Sequence, residues 1–371
     1  MCLLRIYYKI NNMKELIYQP IKGYLEGYYG NLLEWKDRER ILDTLSILKF
    51  NSYFYCPKED INHRFKWRKV YNKKWQNNFK KFCKLATIKK IKILAGISPG
   101  LDYNFSNIDD YNFLKNKILS LIRLGANEIV ILFDDIIERF SKEHNSKKHN
   151  IGFLHANLIN KLSNELQLKI HVVPSIYADE LIIDSKFYLN SFLKTINERA
   201  IIFYCGKKII ATSSSDYSLL RISQNINNDI IIWDNFYAND YCPRKIFITE
   251  HFNKNLNFNV LYNLTGSIEI DLILLKIIQK KIKINEIKNG FNKIAKYFKH
   301  CKNISNKPKK GSYLSEIKML DEMLWNWKTP LARELYPYLM IIKQDLQLYY
   351  NELNKDKILK SFTYPHQFLL K

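Results

Sequence analysis

Two acidic residues stand side by side at the end of an apolar run, Ile129-Val130-Ile131-Leu132-Phe133-Asp134-Asp135. Apolar and β-branched side chains at consecutive positions describe a strand covered on both faces, as in a parallel sheet. A carboxylate at the C-terminal end of such a strand either caps the helix that follows or takes part in chemistry. Capping accounts for one carboxylate more readily than for two neighbours. Their mutual repulsion is expected to split their pKa values and to keep one protonated near neutral pH, while types alone leave open which one. A carboxyl that holds a proton beside one that does not is the equipment of acid–base catalysis.

The elements that position this pair emerge from the rest of the chain. Strand-like runs are read at 21–28, 52–56, 91–97, 128–133, 169–173, 200–204, 229–233 and 259–262, with amphipathic helix patterns at 37–48, 75–87, 111–124, 153–166 and 185–197. Strands and helices alternating over about 250 residues predict the α/β class and a (β/α)8 TIM-type barrel. Gly27 and Gly30 follow the first strand without the spacing of a dinucleotide loop, which argues against an open doubly wound sheet. The organisation read from this pattern is an N-terminal extension (1–20), a barrel (21–284) and a smaller C-terminal helical region (285–371). A helix over 271–284 is placed to close the barrel. A basic linker at 302–311 then precedes helices at 313–327 and 331–353, separated by Pro330. Trp325 and Trp327 cannot share one helical stripe, so one of them is expected to be exposed or docked on the barrel.

In a barrel the residues after each strand meet on one rim. Here they are Glu26-Gly27-Tyr28-Tyr29-Gly30, Pro57-Lys58-Glu59-Asp60, Ser98-Pro99-Gly100-Leu101-Asp102, Asp134-Asp135, Pro174-Ser175-Ile176-Tyr177, Tyr204-Cys205-Gly206-Lys207, Trp233-Asp234-Asn235 with Asp240, and Asn263. Carboxylates, amides and a lysine beside aromatic rings suit a neutral, hydroxyl-rich ligand, a carbohydrate. Retaining glycosidases ordinarily place two carboxyls about 5 Å apart across the sugar, which neighbouring residues do poorly. Adjacent acids fit a substrate-assisted scheme better, in which the sugar's own 2-acetamido oxygen attacks.

The segments EGYYG, FYCPKED with HRFKWR, AGISPGLDYNFS, ILFDDI and IIWDNFYANDY resemble, in this order, glycoside hydrolase family 84. That family comprises barrel β-N-acetylglucosaminidases, protein O-GlcNAcases among them. The resemblance runs from about residue 23 to about residue 274 and implies an exo-acting, retaining enzyme that needs no cofactor or metal. It implies that Asp134 orients the acetamido group and that Asp135 is the general acid, then base. It further implies that Gly27, Lys58, Asp240 and Asn263 hold sugar hydroxyls and that Asn235 bonds the acetamido group or Asp134. Tyr177 would support the developing oxazoline, and Trp233 would wall the acetamido methyl. The chain departs from the family at Cys205, within Tyr204-Cys205-Gly206-Lys207, where Trp-Thr-Gly-Pro is usual, and at Ser175-Ile176. Two other readings stay open: hyaluronidase-like action on an anionic glycan, and an idle carbohydrate-binding barrel with a basic docking surface.

Composition bounds the rest. A net charge of +23 invites a nucleic-acid partner, but the excess is mostly lysine, accompanied by much Ile, Asn, Tyr and Phe, a set that AT-rich coding produces. The partner that the resemblance implies is a β-GlcNAc-bearing glycan or glycoprotein, and neither nucleic acid as primary partner nor a membrane is expected. Oligomeric state is not legible. The cysteines, Cys2, Cys56, Cys83, Cys205, Cys242 and Cys301, have neither metal-ligand spacing nor the density of a disulfide scaffold. No stretch approaches the roughly 20 apolar residues of a membrane span, and the first residues do not read as a signal peptide, Met13 being an alternative start. These features lead to the expectation of a cytoplasmic protein.

Overall fold

The structure, a computed structural model, describes residues 20–136, 145–184, 186–218, 228–242, 246, 248, 250–252, 258–281, 313–326 and 328–349. The linker expected at 302–311, most of the N-terminal extension with Met13, and Trp327 lie outside the described residues.

Eight parallel strands close into a barrel in chain order: β1 (Lys22–Glu26), β2 (Ser52–Tyr55), β3 (Lys92–Ile97), β4 (Glu128–Leu132), β5 (Ile170–Val173), β6 (Ile202–Tyr204), β7 (Ile230–Asp234) and β8 (Asn259–Asn263). The β1–β8 ladder, with Lys22 opposite Val260 and Leu25 opposite Asn263, completes the closure. Helices α1 (Trp35–Ile47), α2 (Lys73–Ile88), α3 (Ile108–Leu124), α4 (Asn145–Leu166) and α5 (Lys186–Thr195) follow the first five strands. After β6 the described chain holds only a four-residue helical turn, α6 (Ser215–Ser218). Each expected strand overlaps an observed one, and their ends differ by at most two residues.

Alternation along the strands explains the long apolar runs. Leu25, Phe54, Leu94, Val130, Leu132, Phe203, Ile231 and Leu261 form one buried cluster that fills the barrel. Their neighbours Tyr24, Tyr53, Ile93, Ile129 and Ile131 point the other way and are buried too. Asparagines secure the strand entrances. Asn51, Asn127 and Asn259 accept N–H groups around the starts of β1 and β3, from Lys22, Ile93 and Ile21, at 2.8–2.9 Å. Asn72 caps α2 through the Trp75 N–H, and Gly125, at φ 112°, ends α3 in the left-handed region open to glycine.

The chain divides into two compact units, Met1–Phe236 with Phe252–Asn263, and Tyr237–His251 with Leu264–Lys371. The second contains α7 (Ile268–Ile278), α8 (Tyr313–Asp321), a π-helical turn (Glu322–Asn326) and α9 (Pro330–Tyr349). Within it Glu334 accepts the N–H groups of Glu269 and Ile270 in the first turn of α7. Trp325, on the π-helical turn, is half exposed and meets Tyr336 edge-on. Among the described residues no helix is long and apolar enough to cross a membrane.

At the C-terminal end of β1, Glu26 forms a two-bond ion pair with Arg38 of α1, at 2.9 and 2.6 Å. Both are buried, Tyr53 donates a third bond to Glu26 at 2.7 Å, and the guanidinium lies over Trp35 and Tyr55. This pair fixes the backbone immediately before Gly27. Arg38→Ala strands a buried carboxylate and should cost about 3–5 kcal/mol in denaturant unfolding. A loss under about 1 kcal/mol would show that Glu26 is not held in this way.

Candidate active site

The end of β4 is anchored before its acids begin. Phe133 donates its N–H to Val173 and accepts the Ser175 hydroxyl at its carbonyl, both at 2.9 Å. Its ring stacks on His155, centroids 3.8 Å apart and planes 4° from parallel. Burial pushes the His155 imidazole down to about 3, so the ring is neutral, and its Nδ1 bonds the Tyr188 hydroxyl at 2.9 Å. That hydroxyl also accepts the Ser175 N–H. His155 thus packs on the barrel.

Asp135 then adopts φ 56°, the left-handed region, where a residue with a Cβ pays about 1–2 kcal/mol. Arg64, nearly buried, bonds the Asp135 carbonyl and Ser98 Oγ, each at 3.3 Å. The loop that carries Arg64 and Lys58 is itself tied down. Lys117 of α3 donates to the carbonyls of Asn62 and Lys69, and burial pushes its amine down to about 8.

Four expected site residues come together here. The Lys58 ammonium, 2% exposed, pairs with Asp134 Oδ2 and stands 4.0 Å from Asp135 Oδ2. Asp135 Oδ1 accepts the Tyr177 hydroxyl at 2.8 Å and Oδ2 accepts the Tyr29 hydroxyl at 2.6 Å. Asp134 is 5% exposed, and its Oδ1 has no hydrogen-bond partner among the described residues. Burial pushes the Asp135 carboxyl upward, but Lys58, the two phenol hydroxyls and Arg64 outweigh it and hold the group below its ordinary range. Repulsion between the acids leads one to expect a raised carboxyl. For Asp135 the sign is reversed, because an ammonium stands against both. Burial, then the Asp135 charge, pushes the hydroxyls of Tyr29 and Tyr177 upward, so both remain donors.

Gly27, Trp233, Asn235 and Asn263 form a second, connected group. Asn235 Oδ1 accepts Trp233 Nε1–H and Asn263 Nδ2–H, both at 2.9 Å, and Asn263 Oδ1 accepts the Gly27 N–H at 3.2 Å. A Cβ on Gly27 would lie 2.4 Å from Trp233 Cζ2, so only glycine lets the ring close against β1. The Trp233 ring in turn lies 5.7 Å from Lys58 Nζ, which links the two groups. Asn235 does not bond Asp134. Its Nδ2 donates to the Ile209 carbonyl at 3.0 Å and to Cys205 Sγ at 3.6 Å. Burial, then the charge of Asp234, holds the Cys205 thiol protonated. Asp240 belongs to the second unit, where its Oδ1 accepts the Tyr241 N–H.

Tyr29 and Arg64 received no role from the sequence, although EGYYG and HRFKWR contain them. The only signal was their presence in those strings, since their common partner Asp135 is 106 and 71 residues away. Chemically the arrangement offers a buried acceptor at Asp134 and a movable proton position at Asp135. Lys58 supplies the cation that both carboxylates require. Among the described residues no group of three or more His, Cys, Asp or Glu side chains is placed to hold a metal ion.

Comparison with known proteins identifies the family. A family model described as beta-N-acetylglucosaminidase matches residues 22–267, which spans the whole barrel. Protein O-GlcNAcase of Rattus norvegicus is 28% identical over 240 residues, 61% of this chain and 25% of that protein. Protein O-GlcNAcase of Mus musculus is 27% identical over the same length and shares. The chain therefore spans about a quarter of the length of the curated relatives it matches. With the barrel matched from its first strand to beyond its last, the chain belongs to the β-N-acetylglucosaminidase family, glycoside hydrolase family 84.

Proposed function

We propose that this protein is an exo-acting, retaining β-N-acetylglucosaminidase that works by substrate assistance. The observation that carries the reading is Asp134 Oδ1, a buried carboxylate oxygen without a donor among the described residues, next to an acid whose two oxygens both hold hydroxyls. A buried acceptor of this kind is costly until a donor arrives, and the N–H of a 2-acetamido group is such a donor. Lys58 fixes the other oxygen and so aims the free one.

In the first step the acetamido oxygen attacks the anomeric carbon while the glycosidic C–O bond breaks and the leaving oxygen takes a proton from Asp135. Asp134 holds the N–H, which becomes more acidic as the oxazolinium ring forms. The Tyr177 hydroxyl turns to the ring oxygen. In the second step Asp135 removes a proton from water, the water oxygen attacks the anomeric carbon, and the ring opens. Two inversions return the original configuration. Trp233 walls the acetamido methyl, with Asn235 behind it, and Gly27, Lys58 and Asn263 hold sugar hydroxyls. The ligand would be a terminal β-GlcNAc on a glycan or glycoprotein. The name of the relatives, protein O-GlcNAcase, favours a protein-borne sugar.

The acid role requires Asp135 to gain a proton when substrate binds, since Lys58 and the hydroxyls favour its carboxylate in the resting site. Asp135→Asn should lower kcat about 10²–10⁴-fold on alkyl β-N-acetylglucosaminides and far less on nitrophenyl ones, whose leaving group needs no proton. Wild-type protein that hydrolyses none of several aryl β-N-acetylglucosaminides would end the proposal. Stepwise fluorination of the N-acetyl methyl should lower kcat/KM progressively, because it weakens the acetamido oxygen as nucleophile. Rates indifferent to fluorine would assign the attack to another group.

A further inference from the structure

His63, in the loop after β2, is fully buried, and its ring stands where β3 has no side chain. A Cβ on Gly96 would lie 2.8 Å from Cys56 Cβ, 2.9 Å from Leu132 Cδ1 and 3.0 Å from His63 Cε1. The ring is held in place from three directions. His63 donates its N–H to the Asp60 carbonyl and accepts the Ser98 N–H, both at 2.9 Å, and its Nδ1 bonds the Gly96 carbonyl at 3.0 Å. A carbonyl only accepts, so Nδ1 carries the proton. Burial, then the charge of Lys58, holds the imidazole well below its ordinary range. The ring is therefore neutral and Nε2 is a bare lone pair. Among the described residues this buried nitrogen has no hydrogen-bond partner.

β3 is also the strand that Lys58 crosses to reach Asp134. An ammonium has three N–H groups to place. Asp134 Oδ2 takes one, whereas Asp135 Oδ2, at 4.0 Å, is beyond hydrogen-bond reach. In the function proposed above a sugar hydroxyl takes the second, from the open side of the site. The third is left for the enclosed side, where His63 Nε2 is an acceptor without a donor. A buried donor and a buried acceptor are both costly when unmade, and one enclosed water satisfies the two together. We propose that His63 is a positioning residue for Lys58: its Nε2 accepts a hydrogen bond that one enclosed water relays from the ammonium. Nζ is then fixed against Asp134 Oδ2, and Asp134 presents its other oxygen to the acetamido N–H. The catalytic consequence rests on the function proposed above, and the contact itself does not. A neutral imidazole suits this place, because a protonated one would set a second cation against Lys58.

Two substitutions separate the bond to Gly96 from the bond to the water. Asparagine keeps a donor where Nδ1 stands, and glutamine keeps an acceptor where Nε2 stands. We expect His63→Asn to lower kcat/KM about 5–30-fold and His63→Gln to recover most of that loss. Equal losses, or asparagine giving the better enzyme, would assign His63 to holding β3 alone and overturn the inference. Two further measurements need neither substrate nor variant. The ¹⁵N resonance of Nε2 in the ligand-free protein should be that of an unprotonated nitrogen accepting a hydrogen bond. A high-resolution crystal structure should show one water within bonding distance of both Lys58 Nζ and His63 Nε2. A free lone pair, or a dry contact between the two groups, overturns the inference. Both signals in a protein that hydrolyses no β-N-acetylglucosaminide would uphold the link from His63 to Lys58 and sink the function proposed above instead.

Discussion

The candidate site depends on one buried ammonium. Lys58 is 2% exposed and serves two carboxylates that belong to a different strand end. Taking a cation out of water costs several kcal/mol, which only close, well-bonded counter-charges offset, and the same holds for Asp134 in reverse. Each therefore requires the other. The barrel makes the meeting possible. β2 and β4 are separated by a single strand, roughly 10 Å in the pairing direction, so a side chain as long as lysine spans the gap between their exits. The rings of Trp233 and Tyr29, 5.7 and 5.8 Å from Nζ, close the space around it.

Support for this charge cluster is arranged in depth. The barrel interior is apolar and closely filled, whereas its mouth concentrates polar networks and the strained Asp135. The strain is held from three sides: Arg64 on its carbonyl, the two phenols on its carboxylate, and the Phe133–His155 stack behind. Glu26 and Arg38 do the same for the exit of β1, just before Gly27. Stability in the scaffold offsets the cost of crowding charges at the rim.

How much of this was legible follows from its physics. Strands of a parallel barrel are buried on both faces, so they appear as apolar runs with abrupt polar ends, and all eight could be read together with the acid doublet. Hydrogen-bond partners could not. Lys58 and Asp134 are 76 residues apart, Tyr29 and Asp135 are 106 apart, and only closure of the barrel brings them together. The sign of the Asp135 shift was lost for the same reason, because the doublet advertises repulsion while the cation that reverses it lies on another strand. Gly27 was legible as a site residue, but its necessity comes from the Trp233 ring, more than 200 positions later.

The departure at Cys205 can be weighed on the same footing. A thiol is a weak hydrogen-bonding group, so exchanging a threonine for it weakens whatever that side chain anchors. What it touches is Asn235 Nδ2, and this nitrogen has a second and shorter bond to the Ile209 carbonyl. The amide oxygen is fixed independently by Trp233 and Asn263. Three strong bonds hold the Asn235 plane without help from residue 205. The substitution therefore changes the surface beside Asn235, from a hydroxyl to a larger and softer sulfur, and leaves the orientation of Asn235 intact. That is a change in fit and polarity beside Asn235 rather than in the acid pair; Cys205 meets Tyr177 through its backbone N–H, which donates to the Tyr177 carbonyl at 2.7 Å and is kept whatever side chain stands at 205.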